Sequence, residues 1–217
     1  MEKRLGIGWP LTNEMIHSKF VLSFILMEKP REYAFFLPQF PGYIDKIRNN
    51  IVEQALKSEC THLLMMDTDQ TYPIETIPKL MFHDKDIVAA KVHRRYPLFD
   101  PILYRGSINN FTSVPDEEWI GADLVEIDAT GTGCVLFDLK VFENIPYPWF
   151  KEETGDDGKP IGEDIYFYAK AKEAGYQIFA DVSLKIGHLS TLEITEEMYF
   201  LFKKLSGHKM GSNQEVC

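Results

Sequence analysis

The stretch Cys60-Thr61-His62-Leu63-Leu64-Met65-Met66-Asp67-Thr68-Asp69-Gln70 decides how the rest of the chain is read. Leu63 to Met66 form an unbroken apolar run that ends in two carboxylates separated by one residue. A short continuous apolar run is the pattern of a strand buried on both faces, as in parallel sheets. Open α/β sheets bind ligands in the crevice beyond the carboxyl ends of their strands, where Asp67 and Asp69 are expected to lie. Strict alternation turns both side chains the same way, so the pair is expected to grip one cation.

The flanking sequence supplies the rest of such a sheet. Leu5–Trp9 reads as a strand stopped by Pro10, followed by a helix capped at Thr12 or Asn13 and running to Met27. Tyr33–Leu37 reads as a second strand, and Tyr43–Ser58 as a helix with Ile44, Ile47, Ile51 and Ala55 on one face. The β-α-β-α-β order predicts an α/β fold, a single Rossmann-like domain with a mostly parallel central sheet flanked by helices. Further on, helices are expected over Pro73–Phe82, Lys140–Asn144, Glu163–Ala174 and Glu193–Leu205. Strands are expected over Asp86–Val92, Leu124–Ile127, Cys134–Phe137 and Tyr176–Phe179. Gly106 to Asp116 reads as a polar loop, Gly131-Thr132-Gly133 as a turn, and residues 206–217 as a flexible tail after one domain over 1–205.

Composition narrows the function. The 217 residues carry 23 Lys+Arg against 33 Asp+Glu, a net charge of −10 that argues against bulk nucleic-acid binding. A polyanionic ligand would need local help from a metal or a few basic groups. The three cysteines, Cys60, Cys134 and Cys217, show no paired or zinc-binding spacing, which points to a reducing, cytoplasmic setting. The greasiest early run, Phe20 to Met27, is far below the ~20 residues that span a bilayer, so no transmembrane segment is expected and membrane contact would be peripheral.

Three further groups carry chemistry by their residue types. Gly162-Glu163-Asp164 opens a helix; one acid suffices as its cap, which leaves the other as a candidate general base. His188 follows the last strand and, with Asp67 and Asp69, completes a donor set acceptable to Mn²⁺. Lys91, His93, Arg94 and Arg95 form the dense basic cluster, able to meet phosphate or an anionic acceptor, or simply to face solvent. Trp119 and Trp149 are candidates to stack on a sugar or to fill the core, and Gly131-Thr132-Gly133 to bring backbone donors near a sugar. Thr154 to Pro160 is a candidate lid.

In this order the motifs resemble those of GT-A fold glycosyltransferases, most of all small bacterial and phage members akin to family two. The likeness runs from about Leu5 to Leu189. It rests on Leu63-Leu64-Met65-Met66-Asp67-Thr68-Asp69, on Gly131 to Phe137, on Gly162-Glu163-Asp164-Ile165-Tyr166-Phe167 and on His188. The resemblance implies a nucleotide-sugar donor, a UDP- or GDP-sugar, whose diphosphate is held by Mn²⁺ or Mg²⁺ on Asp69 and His188. Asp67 would touch the metal, directly or through water, or the donor ribose. Asp164 would be the base with Glu163 as neighbour or alternate, and Trp9, Pro10, Thr12 and Arg48 would lie near the nucleotide. The acceptor would be a glycan, lipid or other hydroxyl compound. The sequence departs from the family pattern at Leu37-Pro38-Gln39-Phe40, where an acidic base-binding run is usual, and this leaves the nucleotide open. A nucleotidyltransferase or metal phosphohydrolase, and a non-catalytic carbohydrate-binding domain, are the competing expectations. A dehydrogenase is disfavoured because Gly6 and Gly8 lack the third glycine of the dinucleotide fingerprint.

Overall fold

The structure, a computed structural model, describes residues 3–12, 14–38, 42–108, 110–155 and 158–205. Its elements in chain order are β1 (Leu5–Gly8), α1 (Ser18–Leu26), β2 (Ala34–Phe36), α2 (Ile44–Lys57), β3 (His62–Met66), β4 (Gln70–Thr71) and α3 (Thr76–Phe82). Then follow β5 (Ile87–Ala90), β6 (Leu103–Ser107), β7 (Asn110–Ser113), α4 (Asp116–Trp119), β8 (Leu124–Ile127), β9 (Ala129–Thr130) and β10 (Cys134–Asp138). The last are α5 (Lys140–Asn144), β11 (Glu153–Thr154), β12 (Pro160–Ile161), α6 (Glu163–Glu173), β13 (Ile178–Asp181), β14 (Gly187–His188) and α7 (Glu196–Leu205).

A 7-stranded sheet of order β2-β1-β3-β10-β5-β13-β8 forms the middle of the molecule. β2, β1 and β3 are parallel, as are β5 and β13; β10 is antiparallel to both β3 and β5, and β8 is antiparallel to β13. β3 is buried at every position, because both faces of the sheet are covered. Leu63 and Met65 join the core under α2 and α6 with Ile47, Ile51, Phe137 and Phe167, whereas Leu64 and Met66 join the core under α1 and α3 with Phe20, Ile77 and Leu80. This is the side-chain alternation of a strand, and it carries Asp67 toward the α2 face.

Two expectations about secondary structure are corrected. α1 begins at Ser18, not at Thr12 or Asn13; its cap position His17 makes no side-chain hydrogen bond, and Asn13 lies outside the described residues. Met15 is 84% exposed, so an earlier turn would bury little of it to offset the cost of nucleating a helix. The polar stretch read as a loop is instead the antiparallel hairpin β6–β7, in register Tyr104↔Ser113 to Ser107↔Asn110. Gly106 makes its close approach possible: φ is +113°, and a Cβ there would lie 2.2 Å from the Asn110 carbonyl oxygen. The expected tail over 206–217 lies outside the described residues.

Candidate active site

Arg48 joins the two acidic motifs. It sits on α2, 4% exposed, and its Nη2 donates to Asp67 Oδ1 at 3.2 Å while Nε donates to Glu163 Oε1 at 3.2 Å. Nη1 donates to the Thr132 carbonyl at 3.0 Å. One guanidinium therefore fixes the end of β3, the turn before β10 and the start of α6. Burial alone would lower the Arg48 pKa, but Asp67, Glu163 and Asp164 outweigh it and the pKa is raised, so the group stays charged. Burial raises the pKa of Asp67 in spite of Arg48, with Asp69 and Glu163 adding to the rise.

Asp67 and Asp69 do not sit on one straight strand. β3 ends at Met66, the chain turns, and β4 resumes at Gln70, so the two carboxylates have different partners. Asp69 Oδ2 accepts from Arg95 Nη1 at 2.8 Å and lies 3.5 Å from His188 Nε2. The pairing of β14 with β4 brings His188 there, and the Leu189 amide donates to the Asp69 carbonyl at 2.7 Å. His188 Nδ1 lies 2.7 Å from the His93 carbonyl; donation to that oxygen orients the ring with Nε2 toward Asp69, to which it donates when protonated. Burial opposes charge on both groups. The contact between them wins, raising the His188 pKa and lowering that of Asp69.

The floor between the motifs is main chain. The Asp67 amide donates to the Gly133 carbonyl at 2.8 Å, and the Tyr72 hydroxyl lies 2.7 Å from the Asp67 carbonyl and 3.0 Å from the Gly133 carbonyl. A Cβ on Gly133 would lie 2.1 Å from Gln70 Nε2 and 3.0 Å from Asp67 Oδ2, so only glycine allows this approach. Within the protein, the groups of this turn engaged by Arg48, Tyr72 and the Asp67 amide are carbonyl acceptors.

Asp164 is not the cap of α6. Gly162 occupies that position without a side-chain bond, and Asp164 Oδ1 accepts from the adjoining Ile165 amide at 2.7 Å. A Cβ on Gly131 would lie 3.9 Å from Asp164 Oδ2, which puts this carboxylate at the same turn that Arg48 holds. Its pKa is pushed up to about 6, first by burial and then by Glu163, with Asp67 adding to the rise. A carboxylate so tuned is ionised at neutral pH yet far more basic than an ordinary one.

Several expected residues serve the core instead. Trp149 is 7% exposed, its Nε1 donating to the Phe142 and Ile145 carbonyls at 2.9 and 3.0 Å, so its ring is not free to stack on a sugar. Trp9 packs edge-on against Phe20, Phe24 and Phe35 at 4.6–4.7 Å, and Pro10 is buried beside it; only Thr12 of that group is exposed. Lys91 lies over the Trp119 ring, 4.2 Å from its centroid, away from the Asp67 partners. The expected lid is a short β11–β12 hairpin whose residues 156–157 lie outside the described set. Sequence reading missed Tyr72 and the Asp69–Arg95 pair; the placing of Arg48 within the apolar stripe of α2 was a legible sign of a buried, partnered cation.

Among the described residues no group of three or more His, Cys, Asp and Glu side chains is arranged to hold a metal ion. Asp69 and His188 offer a two-donor site, one carboxylate and one imidazole, which suits Mn²⁺ or Mg²⁺ completed by ligand oxygens.

No family model and no curated protein sequence matches the chain. Solved structures do. A197 from STIV superposes with a TM-score of 0.61 at 16% identity over 87% of this chain and 86% of that one. GalNAc-T7, solved with UDP, GalNAc and Mn²⁺, gives 0.60 at 12% identity over 88% of this chain. The fold is GT-A. TarS of S. aureus gives 0.51 at 13% identity over 98% of this chain. The chain spans 44% of the GalNAc-T7 chain and 40% of the TarS chain. No helix among the described residues is long and apolar enough to cross a membrane.

Proposed function

We propose that this chain is a metal-dependent glycosyltransferase, moving a sugar from a UDP- or GDP-sugar to an acceptor hydroxyl with inversion. The observation that carries the reading is the Arg48 clamp, which draws Asp67, Glu163 and the carbonyl of Thr132 into one crevice with Asp164. Neither a helix cap nor a surface acid requires a buried guanidinium between two carboxylate-bearing elements. Mn²⁺ or Mg²⁺ would be held by Asp69 and His188, and would stabilise the charge that gathers on a departing diphosphate. Asp67, held by Arg48, orients the donor next to that pair. Asp164 takes the proton of the attacking hydroxyl, a contribution of about 10²–10⁴-fold in rate. Attack from the Asp164 side, opposite the leaving group, inverts the anomeric centre. The GT-A fold shared with GalNAc-T7, a protein crystallised with UDP and Mn²⁺, supports this choice of ligands.

Thermal unfolding with UDP, GDP or their sugars, with and without Mn²⁺, tests the reading. Ligand at about 100 times its Kd adds about 2.7 kcal/mol to stability. A stabilising shift is expected only when nucleotide and metal are both present. Asp69→Ala and His188→Ala should lose it, whereas Asp164→Asn should keep it and lose transfer. Absence of a shift with every nucleotide tried would reject the proposal.

A further inference from the structure

Lys91 is a buried cation without an anion. It immediately follows β5 and is 5% exposed, and its backbone amide is tied to the Asp181 carbonyl at 2.9 Å. Its ammonium rests 4.2 Å from the centre of the Trp119 ring and 3.5 Å from His93 Nε2, and among the described residues it forms no ion pair. His93 Nδ1 lies 2.7 Å from the Phe99 carbonyl; donating there leaves Nε2 as the acceptor of one Lys91 proton. The other ammonium protons have no carboxylate to meet. Buried charges in proteins are paired as a rule, and a part-buried ammonium held on a ring face and one imidazole nitrogen is an incomplete site.

Its place in the sheet says which ligand would complete it. The strand order reverses between β1 and β3, β1 leading to β2 on one side and β3 lying on the other, and ligands of open α/β sheets enter at such a switch point. Asp67 follows β3 there. β5 lies two strands farther on, beyond β10, which at strand spacing is roughly 10 Å across the sheet. Between the two stands His93, whose carbonyl faces His188 Nδ1 at 2.7 Å. The Lys91 ammonium thus neighbours the residue whose carbonyl meets His188, on the side of the Asp69–His188 pair away from the switch point, which is the side of an acceptor rather than of a donor nucleotide.

We propose that Lys91, with Trp119 and His93, forms an anion subsite that selects an acceptor carrying a phosphate or carboxylate group. The inference rests on the proposed glycosyl transfer for the word acceptor, while the anion site itself does not. Inorganic phosphate is the probe, titrated without metal against sodium chloride of equal ionic strength, with thermal unfolding and Trp119 fluorescence as readouts. Wild type and Asp69→Ala should both gain several degrees in Tm at tens of millimolar phosphate and show a fluorescence change. Lys91→Met, close in volume and uncharged, should keep or raise the Tm in phosphate-free buffer and lose the phosphate response; Lys91→Arg should retain part of it. A wild type indifferent to phosphate, or a Lys91→Met protein that responds as wild type does, would overturn the anion site. A parallel titration of Lys91→Met with UDP and Mn²⁺ should match wild type; loss of that response would move Lys91 to the donor diphosphate and overturn the acceptor assignment. Failure of wild type to bind UDP with Mn²⁺ would overturn the glycosyl-transfer reading and with it the acceptor assignment, while the phosphate titration would still report on the anion site.

Discussion

Replacing Asp164 with Asn should make the protein more stable at alkaline pH and leave it unchanged at acid pH. The native carboxyl has its pKa pushed up to about 6 from the ordinary aspartate value, by burial first and by Glu163 second. A raised acid favours the fold while it is protonated, so the favourable state is complete below about pH 4, fades as pH rises through about 6, and above that the fold bears the full cost of an ionised, desolvated carboxylate. A rise of that size corresponds to about 3 kcal/mol. The residue is only part-buried by surface area, and solvent screening reduces this to about 1–2 kcal/mol. Asparagine removes the charge and keeps the oxygen that accepts from the Ile165 amide. For a chain of this length each kcal/mol moves Tm by about 2–4 °C, so Asp164→Asn should melt about 3–6 °C above wild type near pH 8 and within a degree or so of it near pH 4. Calorimetry at the two pH values decides the matter without knowledge of donor or acceptor. A variant less stable than wild type at both would show that Asp164 is an ordinary helix-terminus acid, and the argument for a tuned base would fall. Where transfer is measurable, its rate should rise with pH through about 6, as the base loses its proton.

Other perturbations probe the rest of the crevice. Arg48→Met leaves Asp67 and Glu163 without their shared partner and should cost about 3–5 kcal/mol near neutral pH, with part of the loss recovered in acid as the stranded carboxylates protonate; denaturant unfolding at the two pH values reads both effects. Arg95→Ala removes a competitor for Asp69 Oδ2; because that pair is largely solvent-exposed, worth about 0–1 kcal/mol, Mn²⁺ titration followed by electron paramagnetic resonance should show at most about fivefold tighter binding. Trp149→Phe loses the donor to the Phe142 and Ile145 carbonyls and should lower stability by about 1–3 kcal/mol, while metal-dependent nucleotide binding by calorimetry stays at the wild-type value.

The parts of the fold that sequence reveals are those where one residue pattern has one physical outcome. Leu63–Met66 and Cys134–Phe137 are unbroken apolar runs, and a strand covered on both faces accounts for them. The hairpin β6–β7 is illegible in the sequence because its pairing is carried by the backbone, and the residues at its tip side, Gly106, Ser107 and Asn110, are small or polar and exposed. The start of α1 departs from the expectation for a related reason: Thr12 and Asn13 are good caps by type, but a cap alone does not nucleate a helix, and the next apolar residue, Met15, is 84% exposed. At the crevice, the types and order of Asp67, Asp69, Glu163, Asp164 and His188 were visible. That Arg48 would bridge two of them, and that Arg95 would occupy a third, depends on elements far apart in sequence meeting at one edge. Trp149 shows the converse, since nothing local tells an indole that caps a hydrophobic core from one that waits for a sugar.

Because β10 runs against its neighbours, the chain enters the sheet from the ligand edge, and Thr132 and Gly133 pave the crevice with carbonyl oxygens. Paving of this kind is indifferent to which side chain follows it. Mutation at position 132 can alter a hydroxyl, but the oxygen that Arg48 holds belongs to the peptide and remains. The walls, by contrast, are side chains on separate elements, free to drift. A polar bed set by the backbone path, inside walls built of side chains, leaves the floor of this crevice insensitive to substitutions that would remake its walls.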